Sequence, residues 1–356
     1  MLCGGEVSHQ SKGRNSGRSG GNFQTAAYLS RCGLLFVDAS EHGTEAGSLR
    51  YGCHFRRDNY PVSKCVPVYW MMKLTNQQRV ITEKQVGLAD GHVLPLLSFS
   101  IFEPLPWVRH CFTTRAGGVS TGIYESLNLS FTRGDDPEAV MENYRRVAEA
   151  MGTDSAHIVT SDQTHTVNVR RVDASDAGKG IVCARDYTDV DGLVTDQPGL
   201  LLATFYADCV PLYFVDPVHH AIGLSHSGWR GTKNRMGEVT VQKMQECFGT
   251  KPQELLCAIG PSICQSCYEV SEDVADEFRQ TFAHHVDEIL IPKEHKKYQL
   301  DLWRANAIVL EDAGVLPEHI ATTNICTCCN PKLLFSHRAS CGKRGNLGAF
   351  LMIADS

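Results

Sequence analysis

Four strand-like apolar runs, at residues 167–172, 200–206, 212–215 and 221–225, crowd the middle of the chain and constrain its fold more than any other feature. Helical patterns surround them. Asp136-Pro137 offers a cap and a first-position proline, Val140, Tyr144, Val147 and Met151 an apolar stripe, and Gly152 a stop. Residues 237–248, 274–282 and 302–313 read as further helices, the last closed by Gly314. Residues 320–325 and 349–353 read as closing strands. These elements interleave irregularly, without the strict alternation of a doubly wound sheet, and no internal repeat is visible. The expectation is a single α/β domain of the mixed α+β kind, over about residues 90–356.

The beginning of the chain has another composition. Residues 1–70 hold 8 Lys+Arg against 5 Asp+Glu, leaving 26 against 35 for the remainder of a chain whose formal net charge is -6. Residues 1–21 are rich in Gly, Ser and Arg and lack apolar periodicity, which reads as disorder. Periodicity becomes regular only from Met71-Met72. Residues 1–70 are therefore expected to be a disordered or spurious extension of a domain placed at 71–356.

The acidic balance argues against a nucleic-acid binder that relies on a broad basic surface. No run approaches the ~18 apolar residues of a membrane span, and the short apolar stretch at 33–37 is too brief for a secretory signal. Fifteen cysteines form an odd, irregularly spaced set in a long chain, which favours reduced thiols over a disulfide framework. A soluble cytoplasmic enzyme is the expectation, with its oligomeric state open between monomer and homo-oligomer.

Three segments carry chemistry. An apolar strand ends at His226, after which Gly228 and Gly231 bracket Trp229-Arg230. Glycines admit close backbone approach, a following helix favours an anion, and Arg230 offers a two-pronged donor for phosphate or carboxylate. A tight strand-to-helix turn with a hydrogen-bonded His226 and a solvated Arg230 explains the same residues. Cys209 follows Asp208 where an apolar run is broken by Pro211. A buried inert thiol is the common fate of such a cysteine, but an aspartate is costly to bury and hints at a polar site. His165, in Ser-Asp-Gln-Thr-His-Thr, precedes the strand at 167 and alone reads as a polar turn. Together His165, Cys209 and His226 make a plausible catalytic zinc set, because zinc accepts imidazole and thiolate and leaves its fourth position to water.

The ordered series HCFTTRAGGVSTGIYESLNLS, GDDPEAVMENYRR, SDQTH, YADCVPLYFVDP, LSHSGWRGT, IGPSICQSCYEV, DLWRANAIVLEDAGV, NICTCC and LFSHR resembles the YfiH family over about residues 110–353. That family was formerly called laccase-domain multicopper polyphenol oxidases and is now described as purine nucleoside phosphorylases. The resemblance implies metal ligands at His165, Cys209 and His226, with Thr164 and Ser227 standing where the family usually has Val and Ala. It implies a layered α-β-β-α fold like the catalytic domain of cytotoxic necrotizing factors. It also implies phosphorolysis of adenosine, inosine, guanosine and methylthioadenosine, with adenosine deamination. Purine nucleosides and phosphate are then the partners. Gly228, Arg230 and Gly231, with Arg115 of TTRAGG and Arg338 of LFSHR, are the expected phosphate or substrate contacts. After LFSHR the family often has paired arginines and a Thr-Gly-Arg, where this chain has Arg338-Ala339 and KRGNLGAF.

Two readings compete. Two histidines and a cysteine also suit copper, with Met236 imaginable as an axial ligand. Four-electron oxygen reduction needs several coppers and His-x-His pairs, and the chain has no His-x-His. Hydrolysis of cell-wall precursors is neither supported nor excluded by the residues, and a non-catalytic module conflicts with a three-donor site. Cys264, Cys267, Cys326, Cys328 and Cys329 can be read as a second, structural zinc site, but no pairing rule selects four of the five. Buried thiols are the expectation for them. His337 either lines the cleft or sits in an exposed turn.

Overall fold

A computed structural model describes residues 72–354, and the expectations placed on residues 1–70 lie outside them. The first six-stranded sheet runs β1 (Ile81–Gly87), β2 (Val93–Phe99), β3 (Val108–Thr113), β15 (Leu347–Ile353), β7 (Leu201–Tyr206) and β4 (Ile158–Thr160). The second runs β14 (Ile320–Thr322), β10 (Leu256–Ile259), β8 (Val210–Asp216), β9 (Ala221–Ser227), β6 (Gly192–Thr195) and β5 (Val169–Arg171). A small sheet joins β11 (Glu269–Ser271), β13 (Lys297–Leu300) and β12 (Leu290–Lys293). Pairing is antiparallel except for β4 with β7, β5 with β6 and β10 with β14.

The central strands are apolar at nearly every position because both their faces are covered. In β15, Leu347, Ala349, Leu351 and Ile353 enter the core between the two large sheets, while Phe350 and Met352 point the other way. That alternation is the period of two expected of a strand. The outer face of the first sheet packs on Val140, Tyr144 and Val147 of α1 (Pro137–Ala150). In β8 the split falls between Tyr213 and Val215, facing the first sheet, and Val210, Leu212 and Phe214, facing the helices. Those helices include α3 (Met236–Phe248), through Val241 and Met244, α4 (Glu272–Thr281) and α6 (Leu302–Asp312).

Helix ends follow local chemistry. Asp136 accepts a hydrogen bond from the Glu138 amide at 3.0 Å, Pro137 starts α1, and Gly152 adopts a φ of 76° just beyond its end. The chain begins to pack earlier than residue 90. Met72 is buried between the sheets, Lys73 donates its amide to Asn330, and β1 pairs along its whole length with β2. The expected strand at 320–325 stops at Thr322, since the Thr323 amide turns to the Ile259 carbonyl and Asn324 ties down residues 76 and 78. Among the described residues no helix is long and apolar enough to cross a membrane.

Candidate metal centre

The end of β9 in the second sheet and two tight turns bring three donors together. His226 stands on β9, opposite Pro211 of β8. Cys209 occupies the turn between β7 and β8, where Asp208 takes a φ of 90°. His165 lies in the segment between β4 and β5 with a φ of 68°. Left-handed backbone at two non-glycine residues costs about 1–3 kcal/mol each, which the surrounding contacts must offset. The ligand atoms of His165, Cys209 and His226 lie within 4.8 Å of one another, and the two imidazoles meet edge to face at 4.9 Å.

Glycine 228 makes room for this approach. A Cβ there would stand 3.0 Å from Cys209 Sγ and 3.2 Å from the His165 ring. The role visible for Gly228 is clearance between donors, which differs from the anion cradle read from the sequence.

Asp191, fully buried just before β6, organises the set. One carboxylate oxygen accepts from the Thr164 and Thr166 amides, at 3.0 Å each, and from the Thr166 hydroxyl at 3.1 Å. The other accepts from the His165 amide at 3.1 Å and pairs with His226 Nδ1 at 2.7 Å. That pairing leaves His226 Nε2 for a metal, the arrangement that fixes tautomer and ring direction in metal sites. Burial opposes ionisation of Asp191, but His226 and the turn amides outweigh it and hold the carboxyl below its usual range. Burial likewise pushes the Cys209 thiol up, yet His226 and His165 bring it down to about 6. Burial pulls His226 down, while the Cys209 thiolate and Asp191 raise it to about 9. A thiolate beside an imidazolium is the consequence. Two nitrogens and one thiolate sulfur at this spacing suit a four-coordinate zinc-type ion with one position open.

The open side meets a cavity of about 840 Å³, lined by all three donors. Arg133, Arg185 and Arg344 supply its positive charge, and Phe131, Tyr187 and Phe205 supply apolar wall. Arg344 is buried, its Nη1 donates to the Gly345 carbonyl and the Asn346 side chain, and its Nε has no hydrogen-bond partner. Burial first, then the charge of Arg133, lowers its pKa to about 10.

The arginines expected from sequence stand elsewhere. Arg115 donates to the carbonyls of Glu125 and Pro331 and stacks on Phe335. Arg338 donates to the carbonyls of Cys267 and Glu269. Arg230 is exposed over its neighbour Trp229, and Gly231 lies inside the short helix α2 (Trp229–Lys233). None of them, nor exposed His337 or buried Met236, lines the cavity. Asp191 and Arg344 were missed. The signal for Asp191 was an acidic residue at the mouth of an apolar strand, Asp191-Gly192-Leu193-Val194.

Residues 109–354 match the family described as multi-copper polyphenol oxidoreductase laccase. The chain belongs to this laccase-like YfiH family. Among similar proteins, the purine nucleoside phosphorylase YlmD of Bacillus subtilis is 38% identical over 246 residues, spanning 67% of this chain and 86% of that one. A purine nucleoside phosphorylase of Deinococcus radiodurans is 39% identical over 244 residues, spanning 68% and 88%. The crystal structure of YlmD from Geobacillus stearothermophilus superposes with a TM-score of 0.69 at 33% identity, covering 78% of this chain and 100% of that chain. Membership of the YfiH family and a mixed α+β fold are thus established for this chain, together with His/Cys groups able to hold a metal.

Proposed function

We propose that the protein is a zinc-dependent purine nucleoside phosphorylase of the cytoplasm that also deaminates adenosine, with His165, Cys209 and His226 as the metal ligands. The observation that carries this reading is a three-donor set opening onto a cavity lined by Arg133 and by Arg344, a buried guanidinium whose Nε has no hydrogen-bond partner. The names of the relatives support the phosphorylase chemistry. The three cores support the helix–sheet–sheet–helix layering implied by the likeness to cytotoxic necrotizing factor domains.

A zinc ion in this position supplies Lewis acidity to a substrate group or to an attacking water. The remaining work falls to side chains. Asp191 orients His226 and the turn bearing His165, and Cys209 contributes the thiolate charge. Arg344, with Arg133, binds phosphate as a doubly charged anion away from bulk water, where charge-assisted bonds are strong. Phe131, Tyr187 and Phe205 give a purine flat apolar surface. Adenosine, inosine, guanosine and methylthioadenosine all present such a ring. The polyphenol oxidase alternative fits less well. Among the described residues the second metal-capable group consists of cysteines alone, whereas multi-copper oxidases need histidine-rich sites.

Adenosine is expected to give adenine and ribose 1-phosphate only when phosphate is present, while conversion to inosine proceeds without it. Arg344→Ala is expected to slow base release about 10²-fold, typical of losing a charged transition-state partner, and to spare deamination. Product analysis with and without phosphate separates the two reactions. A comparable selective loss in Arg230→Ala, with Arg344→Ala unaffected, would move the phosphate to the turn at 228–231.

Metal affinity carries a pH signature. His226 keeps its proton up to about 9 and Cys209 loses its own at about 6. Between those values metal binding expels one proton, so zinc affinity rises about tenfold per pH unit, and below 6 the rise is steeper. Competition with a chromogenic chelator across this window reads the slope. A flat profile would remove the protonated His226 from the account.

A further inference from the structure

Two loops distant in sequence meet beside the candidate centre, each bearing Cys-x-x-Cys. Cys264 and Cys267 flank a single turn after β10, and Cys326 and Cys329 follow β14. Their four sulfurs lie within 4.8 Å of one another, with Cys267 and Cys329 at 3.5 Å. Cys328, the fifth thiol of the pair of motifs, is not in the group. The fold thereby makes the selection that sequence spacing left open.

The dimensions point to one ion. Tetrahedral zinc with bonds of about 2.3 Å sets neighbouring sulfurs about 3.8 Å apart. The 3.5 Å pair and the 4.8 Å upper bound on the others lie on either side of that value. A disulfide needs sulfurs at about 2.05 Å, well inside the 3.5 Å of the Cys267–Cys329 pair. An iron–sulfur cubane interposes several atoms between its thiolates and spreads them wider than a single ion does. Around the group, backbone donors turn toward sulfur. The amides of Cys264 and Cys329 both point at Cys326 Sγ, at 3.3 and 3.4 Å, and the Ser266 hydroxyl is 3.2 Å from Cys264 Sγ. Amide and hydroxyl donors disperse the negative charge that thiolates carry around a divalent ion.

We propose that Cys264, Cys267, Cys326 and Cys329 hold a structural zinc ion that staples together the two loops that clasp Asp208. The staple has a target. Asp208, the neighbour of Cys209 with left-handed backbone, is clasped by both loops. Its carbonyl accepts from the Ile263 amide at 3.1 Å, and its carboxylate accepts from the Thr327 hydroxyl at 2.6 Å. The other carboxylate oxygen takes the Arg338 amide at 2.7 Å, and the Arg338 guanidinium bonds to the Cys267 carbonyl at 3.0 Å. The site is closed by four protein donors, so its role is positional and does not depend on which reaction the neighbouring centre performs.

Metal analysis of the full chain, purified under reducing conditions, tests this. Two zinc ions per chain are expected for the unaltered protein. Cys267→Ser and Cys329→Ser should each lose one of them, and Cys328→Ser should lose neither. Cobalt exchange gives an independent readout that needs no cysteine variant. His226→Ala protein, which keeps all four thiolates, should still bind one cobalt ion with the intense thiolate-to-metal absorption of a four-sulfur site. His226→Ala protein that binds no cobalt or zinc overturns the proposal, whether or not the cysteine variants fold. So does an intact mass short of hydrogens by one or two disulfides.

Discussion

Cys209→Ala is expected to leave the centre without stably bound metal and to slow nucleoside turnover by about 10³-fold or more. The thiolate is the only anionic donor of the three, and its pKa of about 6 keeps it charged at neutral pH. Alanine leaves two imidazoles, one of them on an exposed turn. Lewis-acid stabilisation is worth several kcal/mol, and each 1.36 kcal/mol is about a decade in rate, which sets the size of the effect. Zinc content and adenosine phosphorolysis, measured on the same preparation, check both halves. Full zinc occupancy in this variant would sink the ligand assignment.

Much of the fold was legible, because covered strands and capped helices leave strong local marks. The runs that became β7, β8, β9 and β15 are apolar on both faces, and Asp136-Pro137 with Gly152 bounded α1 to within a residue or two. What escaped was polar. In β1, Ile-Thr-Glu-Lys-Gln-Val-Gly, only Ile81 is fully buried, so the strand exists through its pairing with β2 and carries no periodic signal of its own. The small sheet of β11, β12 and β13 is short and charged for the same reason.

At the site the three donors were each weak signals, made a plausible set by zinc's ligand chemistry and strengthened by the family motifs around them. Their convergence depends on segments that follow β4 and β7 of the first sheet meeting β9 of the second, which no local spacing encodes. The arginines show a different contrast. Arg115 and Arg338 sit in eye-catching motifs but spend their donors on backbone carbonyls. Arg344, in the unremarkable Lys-Arg-Gly-Asn, lines the cavity and keeps one buried nitrogen unpaired. Whether an arginine binds substrate is decided by which carbonyls reach it first, and that is a tertiary fact.

The same tertiary logic makes Asp191 the most sensitive residue outside the donor set. Its two oxygens serve different partners: one holds the turn at 164–166, the other the His165 amide and the His226 ring. In Asp191→Asn one oxygen can still accept from Thr164 and Thr166. The new NH2 then replaces the oxygen facing His165 N–H and His226 Nδ1–H, setting donors against donors. His226 is pushed to present Nδ1 as acceptor, and the proton moves to Nε2, the nitrogen needed for metal. Losing such a partner costs about 10–100-fold in metal affinity. Asp191→Ala goes further, stranding the Thr164, His165 and Thr166 amides, the Thr166 hydroxyl and the His226 ring. Each buried donor left unmade costs roughly 1–3 kcal/mol, so the metal-free protein should also melt earlier. The two variants therefore separate by observable. Asn lowers zinc affinity with a modest fall in metal-free unfolding temperature, and Ala lowers the unfolding temperature further. Wild-type zinc affinity in Asp191→Asn, read by chelator competition, would show that His226 is aimed by something other than this carboxylate.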